Sequence, residues 1–360
     1  MYAAVMKLDN TNFSRTKTEA ERKAEKLKPI KNAEDVWKQQ SGSENEIALL
    51  YVALARAAGL QVWPMQVVNR DHASFDAHYL TSSQLDDYIA VLNLGGNEVY
   101  LDPGQKMCPF GSLHWKHSLA SGFRLSDKNA TIATTPPIAY KTAAVQRIAN
   151  LQVDERGSIL GTVNLTMSGP EALRWRQKAL QNDPDEVKKQ FNESIRDSVP
   201  AGVDIEIDHF LALDDPDSKL TAIANVTGNI GSSTGKHFFL PGMFFESRAN
   251  LPFVAQEKRT IPVDVHHPGV DQDVTVYRLP PGFSIDSGPK TDDIVWPDHA
   301  MLRINYSAQN NQAKVVRILA HNYSLLDPKD YNDLHGFYQK VAAADQQQLV
   351  LTRTSAAPGN

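Results

Sequence analysis

Three carboxylates and one hydroxyl occupy positions from which chemistry is conceivable. Asp87 opens an apolar run, Tyr88 to Leu94, and Asp102 closes a second, Val99 to Leu101. Gly95-Gly96-Asn97 between the runs reads as a hairpin turn, so the spacing predicts that Asp87 and Asp102 meet. Glu44 stands in the first turn of a predicted helix. Carboxylates held close together raise one another's pKa, which would make Glu44, Asp87 and Asp102 an acid/base group. Ser43 is the nearest nucleophile, and its hydroxyl needs a base; His72 and His78, in the polar loop Asn69 to Leu80, are candidates for a displaced one. Each residue also has a structural reading. Ser43 and Glu46 form the S-x-x-E capping box, a cap being worth about 1 kcal/mol. Glu44 faces the positive end of the helix dipole. Asp102-Pro103-Gly104 suits a turn, and Asp86 and Asp87 a solvated strand entrance.

Cys108, His114 and His117 are metal-ligand types close in sequence. Their spacing, C-x5-H-x2-H, is not a recognised zinc pattern, and no fourth ligand is evident. A loop packing Phe110, Leu113 and Trp115 over its domain is the alternative. His266 and His267 are adjacent on a predicted strand and so point to opposite faces. There is no P-loop and no G-x-G-x-x-G, so no cofactor is expected.

The elements that must position these residues are legible. Ile47, Leu50, Tyr51, Leu54 and Ala58 fall on one face of a helix from Glu44 to Ala58, with Gly59 at its C-terminal cap. Val62 to Val68 reads as a strand. Hairpins are expected at Gly95-Gly96-Asn97 and at Asp154 to Gly157. Ser168-Gly169-Pro170-Glu171 opens a helix, Leu302 to Leu319 gives two strands, and Asp327-Pro328 starts a helix to Ala344. The expected fold is α+β. Residues 1–28 form a lead-in segment with a helix around Thr18 to Lys26, and 29–128 a mixed domain. Residues 129–143 form an extended linker, 144–348 a β-rich, sandwich-like domain with one helical interruption and a C-terminal helix, and 349–360 a tail.

Gly42-Ser43-Glu44, the helix ending Arg56-Ala57-Ala58-Gly59, Asp87 at a strand entrance and Leu101-Asp102-Pro103 resemble the transglutaminase-like, papain-type fold. That resemblance implies a Cys-His-Asp triad, with Glu44 where the cysteine would stand, Asp87 where the histidine would stand, and Asp102 as the aspartate. Pro252-Phe253, Arg259, Pro262-Val263 and the Tyr331 helix resemble the C-terminal region of bacterial DUF3857-type proteins, whose usual N-terminal DUF3857 domain is expected to be absent or cut away. Cysteine serves as nucleophile at a helix N-terminus because the dipole favours thiolate. Glu44 is no substitute, and aspartate, with an ordinary pKa of about 3.9, is a poor base. The resemblance therefore implies a chain without catalysis, holding a peptide or protein segment in the former groove, and an exported, periplasmic or cell-envelope setting. A Ser43-dependent peptidase, amidase or acyltransferase is the first alternative; a purely structural β-sandwich interaction protein is the second.

Composition narrows the remaining classes. The chain has 360 residues, a formal charge of -5 and a single cysteine. A nucleic-acid role would show as a basic stripe, and one cysteine permits no intrachain disulfide. Met1 to Asp9 shows no signal peptide. The most apolar tract, Phe238 to Val254, is broken by Pro241, Gly242, Glu246 and Arg248, and a membrane-spanning helix needs about 20 apolar residues.

Overall fold

The computed structural model describes residues 1–15, 17–25, 28–79, 81–126, 129–246 and 253–353. Lys26, Leu80, Arg248, Pro252 and the end of the predicted tail, 354–360, lie outside the described residues. The chain forms an α+β, β-rich fold in two compact units. The first unit comprises Met1–Ile138, Ala172–Asp183 and Asp214–Ser218; the second comprises Ala139–Glu171, Pro184–Leu213 and Lys219–Asn360.

The first unit opens with helix α1 (Tyr2–Val5), strand β1 (Asp9–Asn10), helices α2 (Glu19–Ala24) and α3 (Ala33–Gln39), and strand β2 (Ser41–Gly42), which pairs in parallel with β1. The lead-in segment thus joins the unit: Val5 and Leu8 are buried among Ile47, Leu50 and Tyr51. Helix α4 (Glu44–Ala57) follows. Ser43 caps its start with the reciprocal Glu46 box. At its end the Leu60 N–H bonds the Ala55 carbonyl and the Gly59 N–H bonds that of Arg56, with Gly59 at φ +80°. This paired closure needs a left-handed residue, which glycine adopts without a Cβ penalty.

The sheet of this unit contains β3 (Gln61–Val67), β4 (Asp87–Leu94), β5 (Asn97–Leu101), β6 (Ser121–Leu125) and β7 (Ala130–Thr134), in spatial order β5-β4-β3-β6-β7 and antiparallel throughout. Ala90 and Leu92 of β4 pack with α4. Ile89 and Val91, on its other face, pack with Met65, Val67, Ala120 and Leu113. Burial on both faces explains the unbroken Ile-Ala-Val-Leu run in place of polar alternation. The segment expected as an extended linker, 129–143, instead contributes β7 to this sheet.

The second unit is built on an eight-stranded sheet. Its elements in chain order are β8 (Ala144–Val153), β9 (Ser158–Met167), α5 (Pro170–Gln181, most of which counts with the first unit), α6 (Pro184–Arg196), β10 (Val203–Leu211) and β11 (Leu220–Asn229). Then come β12 (Ser232–Thr234), β13 (His237–Pro241), β14 (Val263–Asp264), β15 (Gly269–Arg278), β16 (Phe283–Ser287) and β17 (Asp292–Trp296). β18 (Ala300–Gln309), β19 (Gln312–His321), β20 (Leu325–Leu326), α7 (Tyr331–Asp345) and β21 (Gln348–Arg353) complete it. The large sheet has the order β10-β11-β9-β8-β15-β19-β18-β17; β12-β13-β21-β16 form a second sheet, and β14 pairs with β20. Three expectations change here. Two helices, α5 and α6, stand where one was expected, because Asn182-Asp183-Pro184 stops the first and begins the next. The predicted tail starts with β21, which lies between β13 and β16. The helix expected from Asp327 begins as a 3-10 turn, Pro328–Asp330, with no side-chain cap from Asp327. Tyr331, Leu334, Tyr338 and Val341 of α7 do form the apolar stripe, buried with Leu302, Ile304 and Val315.

A chain of ion pairs lies inside this unit. Arg147 forks onto Asp273 at 2.6 and 2.8 Å and also bonds Glu246. Arg317 forks onto Asp345 at 2.7 and 2.8 Å. Among the described residues no helix is long and apolar enough to cross a membrane.

Candidate functional site

Glu44, Asp87 and Asp102 belong to one buried charge cluster, assembled by α4, the β4-β5 hairpin and the loop after Asp102. The loop supplies two cations, Lys116 and His117. The Lys116 ammonium lies 3.2 Å from Glu44 Oε2 and 3.5 Å from Asp87 Oδ2. His117, 1% exposed, places Nδ1 2.7 Å from Asp102 Oδ2 and Nε2 2.8 Å from Asp87 Oδ2. Asn69 Nδ2 adds a bond to Asp87 at 3.0 Å, and Gln105 Nε2 one to Glu44 at 2.7 Å. The backbone N–H of His114 bonds Asp102 Oδ2, while Asp102 Oδ1 is buried with no hydrogen-bond partner among the described residues.

Local sequence explains how the loop arrives there. Pro103 and Gly104 turn the chain after β5, and Gly104 lies so close to α4 that a Cβ would sit 2.5 Å from the Glu44 carbonyl oxygen. Asn10 Nδ2 holds the Gly104 carbonyl at 2.7 Å. His114 then caps a 3-10 turn, Trp115–His117, its Nδ1 accepting the Lys116 N–H. That turn presents successive side chains, Lys116 and His117, to the carboxylates.

The cluster fixes its own charge states. Burial alone would lower the His117 pKa, but Asp102 and Asp87 outweigh it and hold the imidazolium up to about 9. Burial would raise Asp87; the bonds and charges of His117 and Lys116 win and hold it below its ordinary value. Glu44 is pushed up by burial, only partly opposed by Lys116. Lys116 is raised because Glu44 and Asp87 outweigh its burial. Three carboxylates thus face two cations, and the site is an ion-pair network in which both ring nitrogens of the histidine are donors at neutral pH. An imidazolium has no lone pair with which to act as a general base.

The other candidates fall elsewhere. The Ser43 hydroxyl bonds Glu46 Oε2 at 2.9 Å and accepts the Glu46 N–H. His72 is exposed, 3.8 Å from Asp86. His78 is exposed and pairs with Asp76 at 3.2 Å. Neither has Ser43 among its hydrogen-bond partners. Cys108, His114 and His117 do not converge on a metal: Cys108 Sγ lies 3.5 Å from the Ser112 carbonyl, His114 caps its turn, and His117 is spent on carboxylates. Among the described residues no three His, Cys, Asp or Glu are grouped to hold a metal ion. His266 and His267 are likewise apart, with His266 beside Asp264 and His267 Nδ1 at the Pro268 carbonyl. Lys116 and Gln105 were not among the residues singled out in the sequence. His117 was, but as a metal ligand; the signal for its actual role is a basic pair, Lys116-His117, downstream of three acids that lacked a cation.

Residues 236–351 match a family described as a domain of unknown function with a solved structure, DUF3858. No curated protein matches the chain. A structure from Parabacteroides distasonis described as a "putative protease" is similar over 97% of this chain and 50% of that one, with 12% identity and a TM-score of 0.48. The chain spans about half the length of that structure.

Proposed function

We propose that the first unit is a transglutaminase-like module whose catalytic positions, 44, 87 and 102, have become a structural charge cluster, and that the protein binds or assembles with a peptide or protein segment instead of turning one over. One observation carries this reading: His117, the histidine between Asp87 and Asp102, has both nitrogens committed to carboxylates. The His117 ring therefore has no lone pair free to act as the base, and the nearest hydroxyl, Ser43, is engaged in the helix cap. Helix, strand and hairpin follow in the order the sequence resemblance implies, which supports retention of the scaffold. A setting in the bacterial cell envelope is part of the proposal and rests on the resemblance alone.

The test is an assay of peptide and amide hydrolysis and of acyl transfer to an amine, comparing the wild type with Ser43→Ala. The proposal expects no turnover above background in either protein. Turnover that Ser43→Ala abolishes would replace it with the serine-enzyme alternative.

A further inference from the structure

A second site lies in the first unit, apart from the carboxylate cluster. Asp9, Ser41 and Glu46 contribute to the wall of a cavity of about 380 Å³, within the range of small-ligand pockets. Four cations also line it: Arg15, Lys17, Arg22 and Lys28. Arg15 pairs with Glu21 at 2.6 Å, and Lys17 with Glu25 at 2.7 Å and Asp9 at 3.7 Å. The side chains of Arg22 and Lys28 make no ion pair or hydrogen bond among the described residues. The lining thus carries four cations against two carboxylates, Asp9 and Glu46, an excess of positive charge in a chain whose net charge is -5.

The walls are held by defined local contacts. Thr18 and Glu21 form a capping box at the start of α2, which carries Arg22. The Lys28 N–H bonds Gln39 Oε1 at 2.8 Å, tying that strand of chain to α3. Asp9 and Ser41 sit opposite one another in the β1-β2 pair. The carboxylate of Glu46 is already used by Ser43.

We propose that this cavity binds a small, multiply charged oxyanion carrying phosphate or carboxylate groups, with Arg22 and Lys28 as its principal cationic contacts. Guanidinium and ammonium groups both suit such oxyanions. Two cations without partners among the described residues match a ligand of at least two negative charges; a monoanion would meet Asp9 and Glu46 with less compensation. The site has no phosphate-loop motif, which is why sequence patterns do not mark it.

The experiment is isothermal titration of the full chain with inorganic pyrophosphate and, separately, with citrate, at low and at about 0.5 M NaCl, where charge interactions are screened beyond about 4 Å. Binding of both probes supports the shared oxyanion chemistry, and binding of one identifies the phosphate or the carboxylate source. Arg22→Ala/Lys28→Ala is expected to weaken binding about tenfold or more, as two charge-assisted contacts are lost. Lys314→Ala/Lys340→Ala, which removes the same charge from the second unit, is expected to leave it unchanged. Failure of both probes to bind at low salt, or equal weakening by the two double variants, would overturn the proposal.

Discussion

Replacing His117 with glutamine removes the cation that separates Asp87 from Asp102, and the magnitude can be worked from its titration. Its pKa stands at about 9 against an ordinary 6.5, which corresponds to about 3 kcal/mol of folding free energy. Because the folded value is raised, this stabilisation is fully present below pH 6.5 and is lost as the pH rises through about 9. Lys116, also raised from 10.5, titrates above that window. At pH 6 the variant should therefore be less stable than the wild type by about 3 kcal/mol, and the gap should close as the pH approaches 10. Urea denaturation followed by tryptophan emission is a suitable assay, since Trp37, Trp63, Trp115 and Trp175 lie in the first unit and only Trp296 in the second. A gap that stays constant from pH 6 to pH 10, or that widens, would refute the assignment of a buried imidazolium.

Three other outcomes follow from the packing. Gly104→Ala should destabilise the first unit by about 1–3 kcal/mol, as overpacking does, because its Cβ would meet backbone rather than a movable side chain; the same urea assay measures it. Cys108 is 1% exposed, and burial together with Asp102 raises its thiol pKa, so an aromatic disulfide reagent should label it only in denaturant. Arg317→Met leaves Asp345, 1% exposed in its side chain, without its fork; breaking such a buried pair should cost about 3–5 kcal/mol, seen by calorimetry as a lowered transition of the second unit.

The sequence marked what depends on local chemistry. The α4 cap, its glycine end and the Gly95-Gly96 turn each rest on a few adjacent residues and occur in the structure at those positions. The proximity of Asp87 and Asp102 follows from the hairpin between them. What escaped is set by packing over longer distances. Lys116 and His117 reach the cluster only because the loop from Asp102 folds back over β4, a path fixed by the Gly104 approach to α4 and by Leu113 in the core. Nothing within a few residues of His117 distinguishes an ion-pair partner from a metal ligand. β7 was hidden by a Thr/Ala composition with little apolar alternation, and its residues are largely exposed at the sheet edge.

The protonation state of one ring decides whether His117 can act as a base, so the most direct measurement is a nitrogen-detected NMR titration of His117 in protein labelled with 15N-histidine, assigned with His117→Gln. Both ring nitrogens are expected to carry protons from pH 6 to pH 8, with the transition near pH 9. A neutral, single-tautomer ring at pH 7 would contradict this, because His117 would then hold a free lone pair beside Asp87 or Asp102, available as a base.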